Sequence, residues 1–153
     1  MDWKTLFLSG EGRIGRRDFW IGFLIIMAAS FLLGFIPIIG MIVGLALIWP
    51  QVCIHAKRLH DMGRTAWLML IPMAISLGAM VVVAAVGGMA ALSGDASAVT
   101  GAAFGVMGLA LLISFVVSLA FLLWVGLTPS QPGDNRFGPP ARQLVGTGAQ
   151  PQV

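Results

Sequence analysis

Charge is what this chain has least of. Only 10% of its 153 residues are Asp, Glu, Lys or Arg, against 58% hydrophobic, and the mean hydropathy is +0.95. Soluble domains carry about 25% charged residues, so this balance is not that of a water-soluble core with a solvated surface. Cysteine is almost absent too. The single Cys53 cannot close an intrachain disulfide, so no oxidised framework is implied. There is no phosphate-cradling P-loop, no dinucleotide fingerprint, no Cys/His ligand set and no nucleophile elbow. The expectation is therefore no cofactor, no metal and no catalytic constellation. At this length the chain has room for a single compact unit.

Long apolar runs fill the space that charge leaves. Residues 1–18 are polar and basic, and Ser9-Gly10-Glu11-Gly12 holds a helix poorly because its two glycines lose the most backbone freedom. The run from Phe19 to Ile36 follows. It is too long for the apolar region of a secretory signal, and no small-x-small cleavage site precedes a polar mature segment, so it reads as a retained anchor. As a helix it is about 27 Å long, close to the roughly 30 Å of a hydrocarbon core. Pro37-Ile38-Ile39-Gly40 reads as a turn, and residues 41–56 run back, with Pro50 expected to kink them. Gly63 has the character of the residue after a helix end, and Thr65 that of the next N-cap. Two further runs, 67–92 and 102–127, flank a small polar loop at 93–101, and Thr128-Pro129 stops the last. The tail, 128–153, is rich in Pro, Gly and Gln and is expected to be disordered beyond Ala141.

The few cations are placed unevenly. Four of the nine Lys and Arg residues lie in segment 1–18, three in loop 57–66 and two in the tail, with none at 37–40 or 93–101. With four crossings all nine share one side, which the positive-inside rule makes the cytoplasm. Trp20, Trp67 and Trp124 fall at the cytoplasmic ends of runs, where an indole prefers the headgroup layer. A re-entrant first hairpin that never reaches the far surface would leave the same charge pattern; full spanning is the expectation. Spacings of the form small-x3-small at Gly40/Gly44, Ala84/Gly88 and Gly101/Gly105 suit close helix packing within one bundle better than a dedicated dimer face.

Chemistry, if any, belongs to the polar island Lys57-Arg58-Leu59-His60-Asp61-Met62-Gly63-Arg64. Lys57, His60, Asp61 and Arg64 would share a helical face if the second helix extended that far. The guanidinium forks of Arg58 and Arg64 match phosphate, and His60 with Asp61 makes a conceivable acid–base pair. The plainer reading outweighs this: the cations enforce topology, and Asp61 pairs with Arg58 or Arg64 to hold the turn. His55 and Gln51, one turn apart, are the strongly polar pair inside a run. Apart from His55 no ionisable group lies deep in any run, which speaks against an ion- or proton-coupled transporter. The turn-rich tail segment Pro132–Pro139 is expected to fold back so that Arg136 and Phe137 dock on the central loop.

Three polar pieces together resemble a known family. Gly12-Arg13-Ile14-Gly15-Arg16-Arg17-Asp18-Phe19-Trp20, then the island 57–67 with its core Arg-Leu-His-Asp-x-Gly-Arg, then Pro132-Gly133-Asp134-Asn135-Arg136-Phe137-Gly138 are similar to the YhaH-type bacterial inner-membrane proteins, domain of unknown function 805. The likeness covers about residues 8–140. Lys57 stands where that family often has Arg, and Thr65-Ala66 where it often has Ser-Gly. The resemblance implies a multi-pass inner-membrane protein with its motif in cytoplasmic loops, and it carries no activity.

The expected fold is thus an all-α integral membrane protein of four transmembrane helices in two hairpins, with both termini cytoplasmic. The expected function is a non-enzymatic scaffold or regulatory module in the bacterial inner membrane. Its face of Arg13, Arg16, Arg17, Arg58, His60, Asp61, Arg64, Asn135 and Arg136 would bind anionic lipid headgroups or a protein partner, with no nucleic acid involved. The alternatives are a small uncoupled channel or exporter formed by oligomerisation, and a headgroup-processing enzyme using His60 and Asp61.

Overall fold

The computed structural model describes residues 3–141, whose named elements are all helices, with no strand among the described residues. The helices are α1 (Trp3–Leu8), α2 (Arg16–Gly34), α3 (Pro37–Asp61), α4 (Leu70–Leu92), α5 (Ala96–Gly101) and α6 (Met107–Leu127). Four helical stretches are long and apolar enough to cross a membrane: Arg16–Gly34, Ile38–Asp61, Ala66–Leu92 and Ala96–Leu127. The expected disorder of the tail beyond Ala141 lies outside the described residues. The chain divides into two compact units, residues 1–66 with 125–153, and residues 67–124.

In the first unit α2 and α3 form an antiparallel hairpin, with Phe19 edge-on to His55 at 5.1 Å. The turn begins two residues earlier than the sequence suggests. Pro37 is the first residue of α3, because its missing N–H and fixed φ suit a position whose donor has no helical partner anyway. The reversal is made by Phe35 and Ile36, and it is tight: a β-carbon on Gly40 would stand 2.8 Å from the Gly34 carbonyl oxygen. Pro50 sits inside α3, which runs on as helix to either side.

The helix ends at Asp61 in a reversal that only glycine makes easily. Gly63 has φ +71, its amide donates to the His60 carbonyl at 3.0 Å, and the Arg64 amide reaches the Leu59 carbonyl at 2.8 Å, which is a Schellman motif. Arg64 consequently leaves the face on which helical spacing would have set it beside Lys57, His60 and Asp61. The core of this unit is small: Leu6, Ile14, Phe19, Ile26, Cys53, Ile54, Ala56, Leu59 and Val125. Trp20 packs so closely on Gly126 that any β-carbon there would collide with the indole.

Helix α1 was not visible in the apolar pattern, since residues 1–18 read as a polar lead-in. It forms because Leu6 and Phe7 find a place against Gly22 and Ile54.

Directly after Thr65 a single turn of tighter helix, Ala66–Met69, leads into α4. The loop expected at 93–101 is shorter than its polarity suggests. Asp95 Oδ1 accepts the Ser97 amide at 2.8 Å and the Ser97 hydroxyl at 2.7 Å, capping α5. Those hydrogen bonds from Ser97, and the Ala98 amide with them, hold the Asp95 carboxyl below its ordinary range. From α5 the chain passes through a wider π-helical stretch, Ala102–Val106, into α6. No residue of α4 is buried, and Gly78, Gly87, Gly88, Gly105 and Gly108 have open space where a side chain would stand. The Ala84/Gly88 and Gly101/Gly105 spacings therefore bring no close helix contact at Gly88, Gly101 or Gly105.

Candidate functional site

The final turn of α3 delivers Lys57, Arg58, His60 and Asp61 to one polar end of the first unit, and the N-terminal segment and tail close over them. Asp61 is at the centre, fully buried. One carboxylate oxygen pairs with Arg13 Nε at 3.2 Å, and the other with Arg58 Nη1, also at full burial. The i, i+3 spacing of Arg58 and Asp61 on a helix makes the second pair local; the first joins residues 48 apart.

Two buried guanidiniums cannot be balanced by one carboxylate alone, and the backbone supplies the remainder. Arg58 Nε donates to the Val125 carbonyl at 3.1 Å, Nη1 to Ser130 Oγ at 3.4 Å, and Nη2 to the Thr128 carbonyl. Arg13 Nη1 donates to the carbonyls of Gly133 at 2.7 Å and Gly138 at 3.2 Å, and Nη2 to those of Gln131 at 2.5 Å and Asp61 at 3.4 Å. The Gln131 amide in turn donates to the Asp61 carbonyl at 2.8 Å. Charge-assisted bonds of this kind are about twice as strong as neutral ones, so the tail is tied at five carbonyl or hydroxyl points rather than resting on the surface.

A second layer lies outside the first. Asn135 Nδ2 donates to the His60 carbonyl at 2.9 Å and to Gln131 Oε1 at 3.1 Å, while its own oxygen accepts the Phe137 amide at 2.9 Å. Asn135 and Gly138 pair through both backbone groups. The resulting turn presses the Phe137 ring onto the His60 imidazole, 3.8 Å between centroids and 9° from parallel. The Arg136 guanidinium carbon sits 4.6 Å from the centre of the Phe137 ring. His60 also hydrogen-bonds the Gly12 backbone, and its Nδ1 is buried without a hydrogen-bond partner.

The nine singled-out residues thus separate by position. Arg13, Arg58 and Asp61 are interior, Asn135 and His60 are half-buried braces, and Arg16, Arg17, Arg64 and Arg136 are exposed. Asp61 pairs with Arg58 as one sequence alternative held, and with Arg13 in place of Arg64. Phe137 docks on the central loop as expected, and Arg136 lies over it facing solvent. The sequence reading missed the carbonyls of Val125, Thr128, Gln131, Gly133 and Gly138, and backbone acceptors leave no trace in residue identity. It counted Lys57 in the polar island but not its partner: the Lys57 ammonium caps the Thr5 carbonyl of α1. Among the described residues no three His, Cys, Asp or Glu side chains stand together as a metal would need. A shallow hollow of about 430 Å³ opens beside the turn, lined by Gly63, Gln131, Asp134, Asn135 and Arg136.

The family described as protein of unknown function (DUF805) matches residues 7–139. The chain belongs to that family. This DUF805 member is also 42% identical over 72 residues to the uncharacterized protein YiiR of Escherichia coli K12, an alignment covering 40% of this chain and 48% of that one. YiiR of Escherichia coli O157:H7 matches to the same extent. The chain therefore spans about half the length of the curated relatives it matches. No solved structure matches it.

Proposed function

We propose that this protein is a multi-pass protein of the bacterial inner membrane, with both termini in the cytoplasm, and that it acts as a non-enzymatic scaffold or regulatory module. Its polar end recognises anionic lipid headgroups. One observation carries this reading: the structure divides its arginines by task. Arg13 and Arg58 are consumed holding three distant segments around Asp61, while Arg16, Arg17, Arg64 and Arg136 are left exposed on the assembled surface. A surface braced in this way, carrying four outward arginines among the described residues of a chain this apolar, suits a partner of repeated negative charge lying alongside it. Anionic lipid is the nearest such partner, at about 1 kcal/mol per cation.

The same geometry argues against the enzymatic alternative. The Asp61 carboxylate is occupied by two guanidiniums, and the His60 ring is covered by Phe137.

The test replaces Arg16, Arg17, Arg64 and Arg136 together with Gln and counts the anionic lipids retained by native mass spectrometry of the detergent-extracted protein. At about 1 kcal/mol each, every neutralised cation is expected to weaken retention about fivefold. Retention unchanged in a correctly inserted quadruple variant would discard headgroup recognition and leave a protein partner as the ligand of this face.

A further inference from the structure

Helix α1 is held at a definite level along α3. Its Leu6 and Phe7 side chains lie 3.6 and 3.7 Å from where a β-carbon on Gly22 would stand, with Ile54 at 3.4 Å, so α1 backs into the groove between α2 and α3. Two α3 side chains then satisfy carbonyls of its last turn. Lys57 Nζ donates to Thr5, and Trp49 Nε1 donates to Leu8 at 3.1 Å. These two clasps are eight residues apart on α3, about 12 Å along its axis.

That level bears on whether the first hairpin crosses the membrane. From Pro37 to Trp49 α3 is about 20 Å long, and from Pro37 to Lys57 about 30 Å. A hydrocarbon core is about 30 Å thick. So α3 crosses completely only if the apolar layer reaches Lys57, and in that case α1 lies within its edge. If the layer stopped at Trp49, α1 would sit in water and the hairpin would turn back before the far surface. The position of α1 and the crossing of the hairpin are one question.

The surface around α1 suits lipid. Leu8 is 63% exposed and Trp49 55% exposed. Trp49 continues the outward face of Leu45, four residues earlier and 65% exposed, so the apolar flank of α3 extends without a break up to α1. The one polar atom of the Trp49 ring is satisfied by Leu8, which leaves an indole edge with no demand for water. Lys4 is exposed on the first turn, where its stem can reach the headgroups.

We infer that α1 is an interfacial helix embedded in the lipid edge, marking the membrane boundary of this unit, and that α2 and α3 cross the bilayer fully. The inference rests on the membrane reading above, and the experiment keeps the two apart. Single variants Leu8→Cys, Glu11→Cys and Leu45→Cys carry a small fluorophore in anionic vesicles; Cys53 is fully buried, so the unsubstituted protein is the control. Aqueous iodide should quench the Glu11 probe strongly and the Leu8 and Leu45 probes several-fold less. Lipids with a nitroxide near the headgroup should quench Leu8 more than lipids with a deep nitroxide. A Leu8 probe as open to iodide as Glu11, beside a shielded Leu45, would overturn the inference and make the hairpin re-entrant. A Leu45 probe equally open would overturn the membrane reading itself. Hydrogen exchange of the unlabelled protein in nanodiscs is the second measurement. Amides of Phe7 and Leu8, the two bonded within α1, should exchange as slowly as those of α2, and exchange as fast as residues 9–12 would count against immersion.

Discussion

Asp61 shows how one buried carboxylate can organise a polar end. Taking it out of water is costly, and it is kept because both its oxygens are paired while the guanidiniums opposite find carbonyls for their remaining protons. Asp61→Asn removes the charge and keeps the shape, leaving Arg13 and Arg58 buried without a counter-ion. The expected loss is about 3–5 kcal/mol, read by denaturant titration in detergent. Arg64→Gln, at an exposed position in the same island, should stay within about 0.5 kcal/mol. Equal effects from the two would mean that the buried pairs do not hold the fold. The half of this site carried by side chains was legible, because an i, i+3 Arg/Asp pair can be counted. The choice of Arg13 over Arg64 was not, because it depends on the reversal at Gly63 that turns Arg64 away.

Among the elements, the tail segment 128–139 is the most informative, since it has no helix or strand of its own yet is held at both ends. Ser130, Gln131, Gly133 and Gly138 bond the two buried arginines, and Asn135 braces the end of α3. Ending the chain after Thr128 strips Arg13 of three carbonyl acceptors. Each hydrogen bond to a charged group is worth about 1.5–3 kcal/mol, so this truncation should unfold the polar end and cut the yield of monodisperse protein on size exclusion. Ending it after Ala141 keeps every one of these bonds and should leave the yield unchanged. The same reasoning explains the elements that sequence placed wrongly. Pro37 and the polar loop at 93–101 carry turn formers, but proline is equally at home in a first helical turn and Asp95 is equally good as a cap.

Across the molecule the apolar surface is extensive: α4 buries nothing, and large hydrophobic side chains are exposed along α2, α3, α4 and α6. Water would not tolerate this, and a bilayer would. The proposed topology predicts a labelling pattern in intact cells. Cysteines at Phe35 and Leu92, exposed at the turn ends of α2 and α4, should react with a membrane-impermeant maleimide from outside, while cysteines at Arg64 and Arg136 should react only after permeabilisation. Reaction at Arg64 from outside would invert the orientation.

Composition and spacing alone determined that this chain is helical and apolar in four stretches, and that its cations cluster away from the two intervening turns. These are one-dimensional properties: a helix that satisfies its own backbone needs only a run of apolar residues, and a charge count needs no partner. Tertiary structure decided which arginines became interior and which stayed on the surface, and where α1 sits. Those outcomes turn on backbone carbonyls lying from 41 to 125 positions along the chain from the side chains that bind them, and carbonyls are the same in every residue.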